Sequence, residues 1–309
     1  MPTLFDQNLY QPANQSVLRL VNDFEQKYSS VFAKVKGDWL PAIREFLREE
    51  TGLRMHQKVV GTKIQKDSNV SFRFVPDRDG AFIKLIDEHY RDLNFEEYAA
   101  FNRLKAELKN SARFFKKNSQ NPIEPFAVLS NHLDEYFKKY NLQDLLDTLF
   151  KNAERIEDIW GTYSYDYGRI EVYYVPLILF CELNSVSLEY AILSVLVHEM
   201  AHSYHHTGKD KDNITWTNMG YTDKHIIEGM AEYFTWLFVE SYKDDHIGME
   251  KAYLAMFNCL ADEYICFKEW MPLYSKEVIK CALLSTRKKA IEGYTDFQKL
   301  LKSLKETMH

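Results

Sequence analysis

Cysteine is scarce in this chain and never arranged as C-x-x-C; Cys181, Cys259, Cys266 and Cys281 are the full set. They lie mostly in apolar helical patterns, so reduced, buried thiols are expected in place of disulfides or a thiolate metal site. Glycine (11) and proline (8) are sparse among 309 residues, which excludes collagen-like and low-complexity sequence. Positive charge is in deficit, with 39 Lys and Arg against 45 Asp and Glu and a net charge of −6. No global basic field exists to hold a polyanion, so neither nucleic acid nor a membrane surface is expected as a partner. The longest apolar runs, Val175 to Cys181 and Ala191 to Val197, fall far short of the roughly 20 residues that span a bilayer. The opening Met1 to Asn8 carries neither a basic n-region nor an apolar h-region, and a cytoplasmic location is expected.

What the chain does have is a globular composition, 46% hydrophobic and 27% charged. Its length suggests two domains of roughly 150 residues each. Helical periodicity covers Ser16 to Lys36, Trp39 to Glu50, Asn94 to Lys117, Phe126 to Tyr140 and Leu142 to Ile159. Short alternating runs between His56 and Leu85, with Val70 to Val75 ahead of a turn at Pro76 to Gly80, predict some sheet. Breaks at Pro122 and Pro125 suggest a division into 1–150, mostly helical with a short strand segment, and 151–309, which carries the chemistry. Gly161 to Val175 is the clearest strand material, a hairpin or a long edge strand. Ser187 is placed to cap a helix from Leu188 to Thr207 that stops at Gly208. Further helices are expected over Asp223 to Ser241, Gly248 to Phe267, Lys276 to Ile291 and Thr295 to Met308. The basic clusters Arg113 to Lys117 and Arg287 to Lys289 read as solvated helix faces.

The motif that carries chemistry is His198-Glu199-Met200-Ala201-His202. One helical turn separates the two histidines, so both imidazoles share a face and can converge on one Zn²⁺. Burying two histidines and a glutamate on one turn without a cation would be costly. A catalytic zinc site takes three protein ligands, so a third must exist elsewhere. Twenty-six residues after His202 (228 − 202), Glu228-Gly-Met-Ala-Glu232 places two carboxylates one turn apart on another helical segment. Glu228 is the expected ligand, and Glu232 the acceptor for the other ring N–H of a ligating histidine. Asp223, His205 and His206 are alternative third ligands. For the two histidines a solvated helix end is the preferred reading, because a third ligand on the same helix would strain a tetrahedral site.

These residues resemble the gluzincin metallopeptidases, whose pattern is H-E-x-x-H followed by a helix bearing E-x-x-x-[D/E]. The resemblance covers Leu188 to Leu237. It implies a zincin-like catalytic region within a mainly helical α+β fold, with a small twisted sheet, a helical C-terminal lobe and peptide or protein substrate lying along an edge strand. The metzincin pattern is excluded because it needs Gly at 205 and His at 208, where this chain has His205 and Gly208. Thermolysin-like spacing would put the third ligand near Tyr221 or Thr222.

The expected activity is that of a zinc-dependent peptidase, an endopeptidase hydrolase, with Glu199 as general base. Tyr221 and His225 are the nearest sequence candidates to stabilise the oxyanion. The tyrosine-rich Gly161 to Val175 segment is either a strand that pairs with substrate backbone or a half-buried structural strand. The alternative to the enzyme is a non-catalytic regulatory or partner-binding protein that retains the scaffold. An intact Glu199 favours the enzyme, because a purely structural site has no use for a base beside the metal.

Overall fold

In the computed structural model the described residues are 15–55, 58–60, 63–65, 70–78, 95–117, 124–141, 159–216 and 218–308, with isolated positions 80, 82, 83, 86 and 144. Apolar spacing at the start produces helices Gln15–Lys27 and Ser29–Lys34, which continue through a π turn, Val35–Trp39, into Leu40–Thr51. Gly52 ends that run at φ 71°, a left-handed conformation that glycine adopts without a Cβ clash. Strands β1 (Lys58–Val60) and β2 (Lys63–Gln65) form a small hairpin, and β3 (Ser71–Val75) belongs to a separate sheet. Helices Phe95–Lys117 and Glu124–Lys139 follow. The division near residue 150, and most of the expected Leu142 to Ile159 helix, lie outside the described residues.

The tyrosine-rich segment is a hairpin of β4 (Gly161–Ser164) and β5 (Arg169–Tyr173), with Gly168 at φ 55° in the turn. The sheet order is β3-β5-β4, so β4 is an edge and β5 is central. Parallel pairing sets Ser71 opposite Arg169 and Val75 opposite Tyr173. A strand from the first half of the chain therefore completes the sheet of the second. Strand character ends earlier than the alternation suggests, because Tyr174 and Val175 already belong to a buried helix, Tyr174–Asn184.

Behind the sheet lies the motif helix, Leu188–Thr207, buried continuously from Ala191 to His205. The N-terminal helices wrap it and its neighbours through long-range hydrogen bonds. Trp39 Nε1 donates to Glu189 (2.7 Å), the Tyr28 hydroxyl to Glu182 (2.8 Å) and the Tyr174 hydroxyl to Glu25 (2.7 Å). One hydrophobic core joins Phe32, Trp39 and Ile43 with Leu196, Ala201, Phe238 and Leu283. The glutamate helix, Lys224–Tyr242, packs against the motif helix.

After Met249–Phe257 the chain turns, and two short helices follow, Asp262–Ile265 and Phe267–Trp270. The single helix expected over Gly248 to Phe267 is thus broken, although its apolar spacing continues across the break. The turn brings Tyr264, Phe267 and Trp270 into the core beside the glutamate helix. Helices Lys276–Lys288 and Tyr294–Met308 close the chain. All four cysteines are free; Cys181 and Cys266 are buried and the other two partly so. No helix among the described residues is long and apolar enough to cross a membrane.

The motif helix has the expected bounds, but its two ends are capped differently from expectation. Ser187 stands at the N-cap with extended backbone but makes no side-chain capping bond. Gly208 terminates the helix in extended backbone, φ −64° and ψ 149°, not in a left-handed cap. The terminal carbonyls are satisfied instead by Arg287, whose Nε donates to His205 O (2.7 Å) and whose Nη2 donates to Gly208 O. Arg287 is only 1% exposed, while Lys288 and Lys289 are exposed. The solvated reading of this cluster is therefore wrong at its first residue: a cation at a helix C-terminus meets both the dipole and the orphan acceptors. Arg287→Ala leaves two buried carbonyls unpaired, at about 1–3 kcal/mol each. Denaturant unfolding of this variant should show a loss of about 2–6 kcal/mol, and a loss under about 0.5 kcal/mol would refute the capping role.

Candidate metal centre

Three atoms from two helices converge in the core. His198 Nε2, His202 Nε2 and Glu228 Oε2 are separated by 3.3 Å (His198 to Glu228), 3.2 Å (His202 to Glu228) and 3.1 Å (His198 to His202). All three residues are buried, and together they form a group able to hold a metal ion. Local structure explains the arrangement. The i, i+4 spacing stacks the two imidazoles on one face of the motif helix, with ring centroids 4.8 Å apart. The glutamate helix then brings Glu228 across to them, and Glu232, one turn later, reaches the far side of His198.

Glu232 Oε2 lies 3.1 Å from His198 Nδ1. A carboxylate can only accept, so Nδ1 carries a proton and Nε2 is the ring nitrogen that faces His202 and Glu228. An imidazole nitrogen and a carboxylate oxygen thus face each other at 3.3 Å, an arrangement that requires a cation or a proton between them. Tetrahedral coordination with bonds of roughly 2.0–2.1 Å spaces its donors by about 3.3–3.4 Å. The observed triangle is close to that, so the donor set fits Zn²⁺ in size and in chemistry. His202 Nδ1 is buried without a hydrogen-bond partner.

The electrostatics favour positive charge at this point. Burial alone would depress the His198 pKa, but Glu228, Glu232 and Glu199 outweigh it and hold it well above the ordinary imidazole value. Burial would raise Glu228; the imidazoles of His202 and His198 hold it far below the usual carboxylate range instead. Glu199 is buried between the motif helix and β4, where a Cβ on Gly161 would stand 3.6 Å from its Cγ. It lines a partly enclosed pocket together with His198, Glu232, Tyr253 and Tyr264. Glu228 borders a separate, open cleft of ≈ 510 Å³, whose walls include Tyr165, His206, Tyr221 and Lys224.

Gly229, between the two glutamates, permits the close packing of their helix. A Cβ there would lie 2.5 Å from Cys266 Sγ and 3.0 Å from the Trp270 ring. Nothing in the local helical pattern announces that requirement.

The remaining sequence candidates fall elsewhere. Asp223 caps the glutamate helix, accepting from His225 N (2.9 Å), and does not join the triad. The His225 ring is held by Asp223 (3.0 Å) and packs on Tyr294 (5.5 Å between centroids). Tyr221 is 76% exposed and lines the open cleft. His205 is not a solvated helix end: it is buried, bonded to Ala201 O (3.1 Å) and packed on Phe234. Burial, helped by the Arg287 charge, pushes its pKa down to about 3. His206, also expected in solvent, is half-buried on the cleft wall.

The purified protein is expected to bind about one Zn²⁺ per chain and to lose most of it in His198→Ala, His202→Ala or Glu228→Ala. Glu232→Ala should be milder, with a loss of about 10–100-fold in affinity, because it removes only the partner that orients His198. Chelator competition on the four variants checks the order. Metal lost more readily from Glu232→Ala than from Glu228→Ala would reverse the two roles.

Comparison with protein-family models, curated proteins and solved structures finds no match to this chain.

Proposed function

We propose that the protein is a zinc-dependent peptidase. The observation that carries this reading is the buried triangle of His198 Nε2, His202 Nε2 and Glu228 Oε2, with a glutamate, Glu199, next to the first ligand and an open cleft alongside the third. Three protein ligands leave a fourth position for chemistry, whereas structural zinc sites are usually closed by four. Zn²⁺ held there supplies Lewis acidity, bringing the pKa of a water towards neutrality and polarising a carbonyl.

The chain's own groups supply the rest. Glu199 accepts the proton of the attacking water and returns it to the leaving amine, so no covalent intermediate is required. Glu232 keeps the His198 ring in the Nδ1–H tautomer and in the orientation that presents Nε2. β4 offers an unpaired edge within the described sheet, next to the motif helix, along which an extended peptide can lie. Tyr165 follows β4 directly and lines the cleft, which continues this edge towards Glu228. The rival reading, a non-catalytic scaffold, gives no role to a buried carboxylate at Glu199, adjacent in the chain to the first ligand.

Glu199→Gln separates the roles. It removes the base and spares the ligands, so zinc content and unfolding midpoint should stay near wild type while casein hydrolysis falls by about 10²–10⁴-fold. Undiminished hydrolysis in a zinc-loaded Glu199→Gln protein would eliminate the mechanism.

A further inference from the structure

His198, His202 and His206 stand on successive turns of one helix face, and the metal triad uses only the first two. His206 instead lines the open cleft that Glu228 borders. Its ring is held from two directions by the β4 region. Nδ1 lies 3.2 Å from the hydroxyl of Tyr163, on β4, and the ring meets Tyr165 edge-on at 4.7 Å between centroids. Nε2 makes no hydrogen bond with any described residue.

We propose that His206 is a substrate-contacting residue: Tyr163 fixes the ring so that Nε2–H faces the cleft and donates to a backbone carbonyl of a peptide lying along β4. This rests on the peptidase reading above, and it assigns a role to a residue outside the metal-binding motif. Donation from the Tyr163 hydroxyl to Nδ1 places the ring proton on Nε2. Burial pushes the Tyr163 phenol up to about 12, so its proton is retained at neutral pH. Burial, then the charge of Arg287, lowers the His206 pKa and favours the neutral ring, which is still a donor at Nε2. The position suits a peptide better than a small ligand, because the donor sits between an open sheet edge and an open cleft of ≈ 510 Å³. Tyr163 touches no substrate in this scheme; it is a positioning residue.

The experiment measures binding of a fluorescein-labelled casein peptide mixture by anisotropy, in a Glu199→Gln background, and casein hydrolysis in the otherwise wild-type protein. His206→Ala should weaken peptide binding by about 3–10-fold and lower kcat/KM by a similar factor of about 3–10-fold, with zinc content and unfolding midpoint unchanged. His206→Gln, which keeps a donor, should recover part of the binding. Tyr163→Phe should move the His206 ring ¹⁵N shifts towards a mixture of tautomers and give a smaller loss than His206→Ala. Peptide binding by the parent that His206→Ala leaves unchanged would overturn this proposal alone. No peptide binding by the zinc-loaded parent would overturn the peptidase reading and this proposal with it. Unchanged ¹⁵N shifts in Tyr163→Phe would overturn the positioning role.

Discussion

Two helices must pack closely enough for one carboxylate oxygen to meet two imidazole nitrogens inside the core, and much of the molecule serves that approach. The motif helix supplies the histidines, and the glutamate helix brings Glu228 to within 3.2–3.3 Å of both. The glutamate helix is in turn pressed from its other side by Cys266 and Trp270, a contact that only glycine at 229 allows. A helix position that costs roughly 1 kcal/mol in propensity is thus used where side-chain volume, not backbone preference, is limiting.

Charge is the second consequence of that approach. Glu199, Glu228 and Glu232 are all buried around His198 and His202. Removing carboxylates from water is expensive unless a cation compensates them, and convergent acceptors repel one another in a low-dielectric interior. A divalent ion satisfies this directly, because the metal ligands must be deprotonated to bind it and bring their own negative charge. The same electrostatics that would make the metal-free arrangement costly make it selective for a cation. Arg287 answers a different need at the helix end, where its partners are two backbone carbonyls and its role is to hold the last turn.

The sheet positions the cleft. β5 is central because β3, from early in the chain, pairs with it in parallel, leaving β4 as the edge beside the motif helix. The turn after β4 carries Tyr165 into the cleft wall, where it meets His206. Residues before and after position 150 share one sheet and one hydrophobic core. The N-terminal half is therefore part of the scaffold that holds the candidate metal centre.

The candidate metal donors were legible in the sequence because their spacing is local. Four residues make one helical turn, so His198 with His202, and Glu228 with Glu232, share a face whatever else the chain does. The mainly helical α+β class, the β4–β5 hairpin and the stop at Gly208 follow from the same short-range rules. Tertiary structure alone decided which face meets which. A charge run cannot reveal that Arg287 turns inward to meet a helix end 79 residues earlier, nor can a histidine pair reveal that His205 enters the core while His206 borders the cleft. The break after Phe257 and the parallel pairing of β3 with β5 are equally silent in local pattern. Periodicity fixes directions around one element's axis; the partner in each direction is set by the packing of segments distant in the chain.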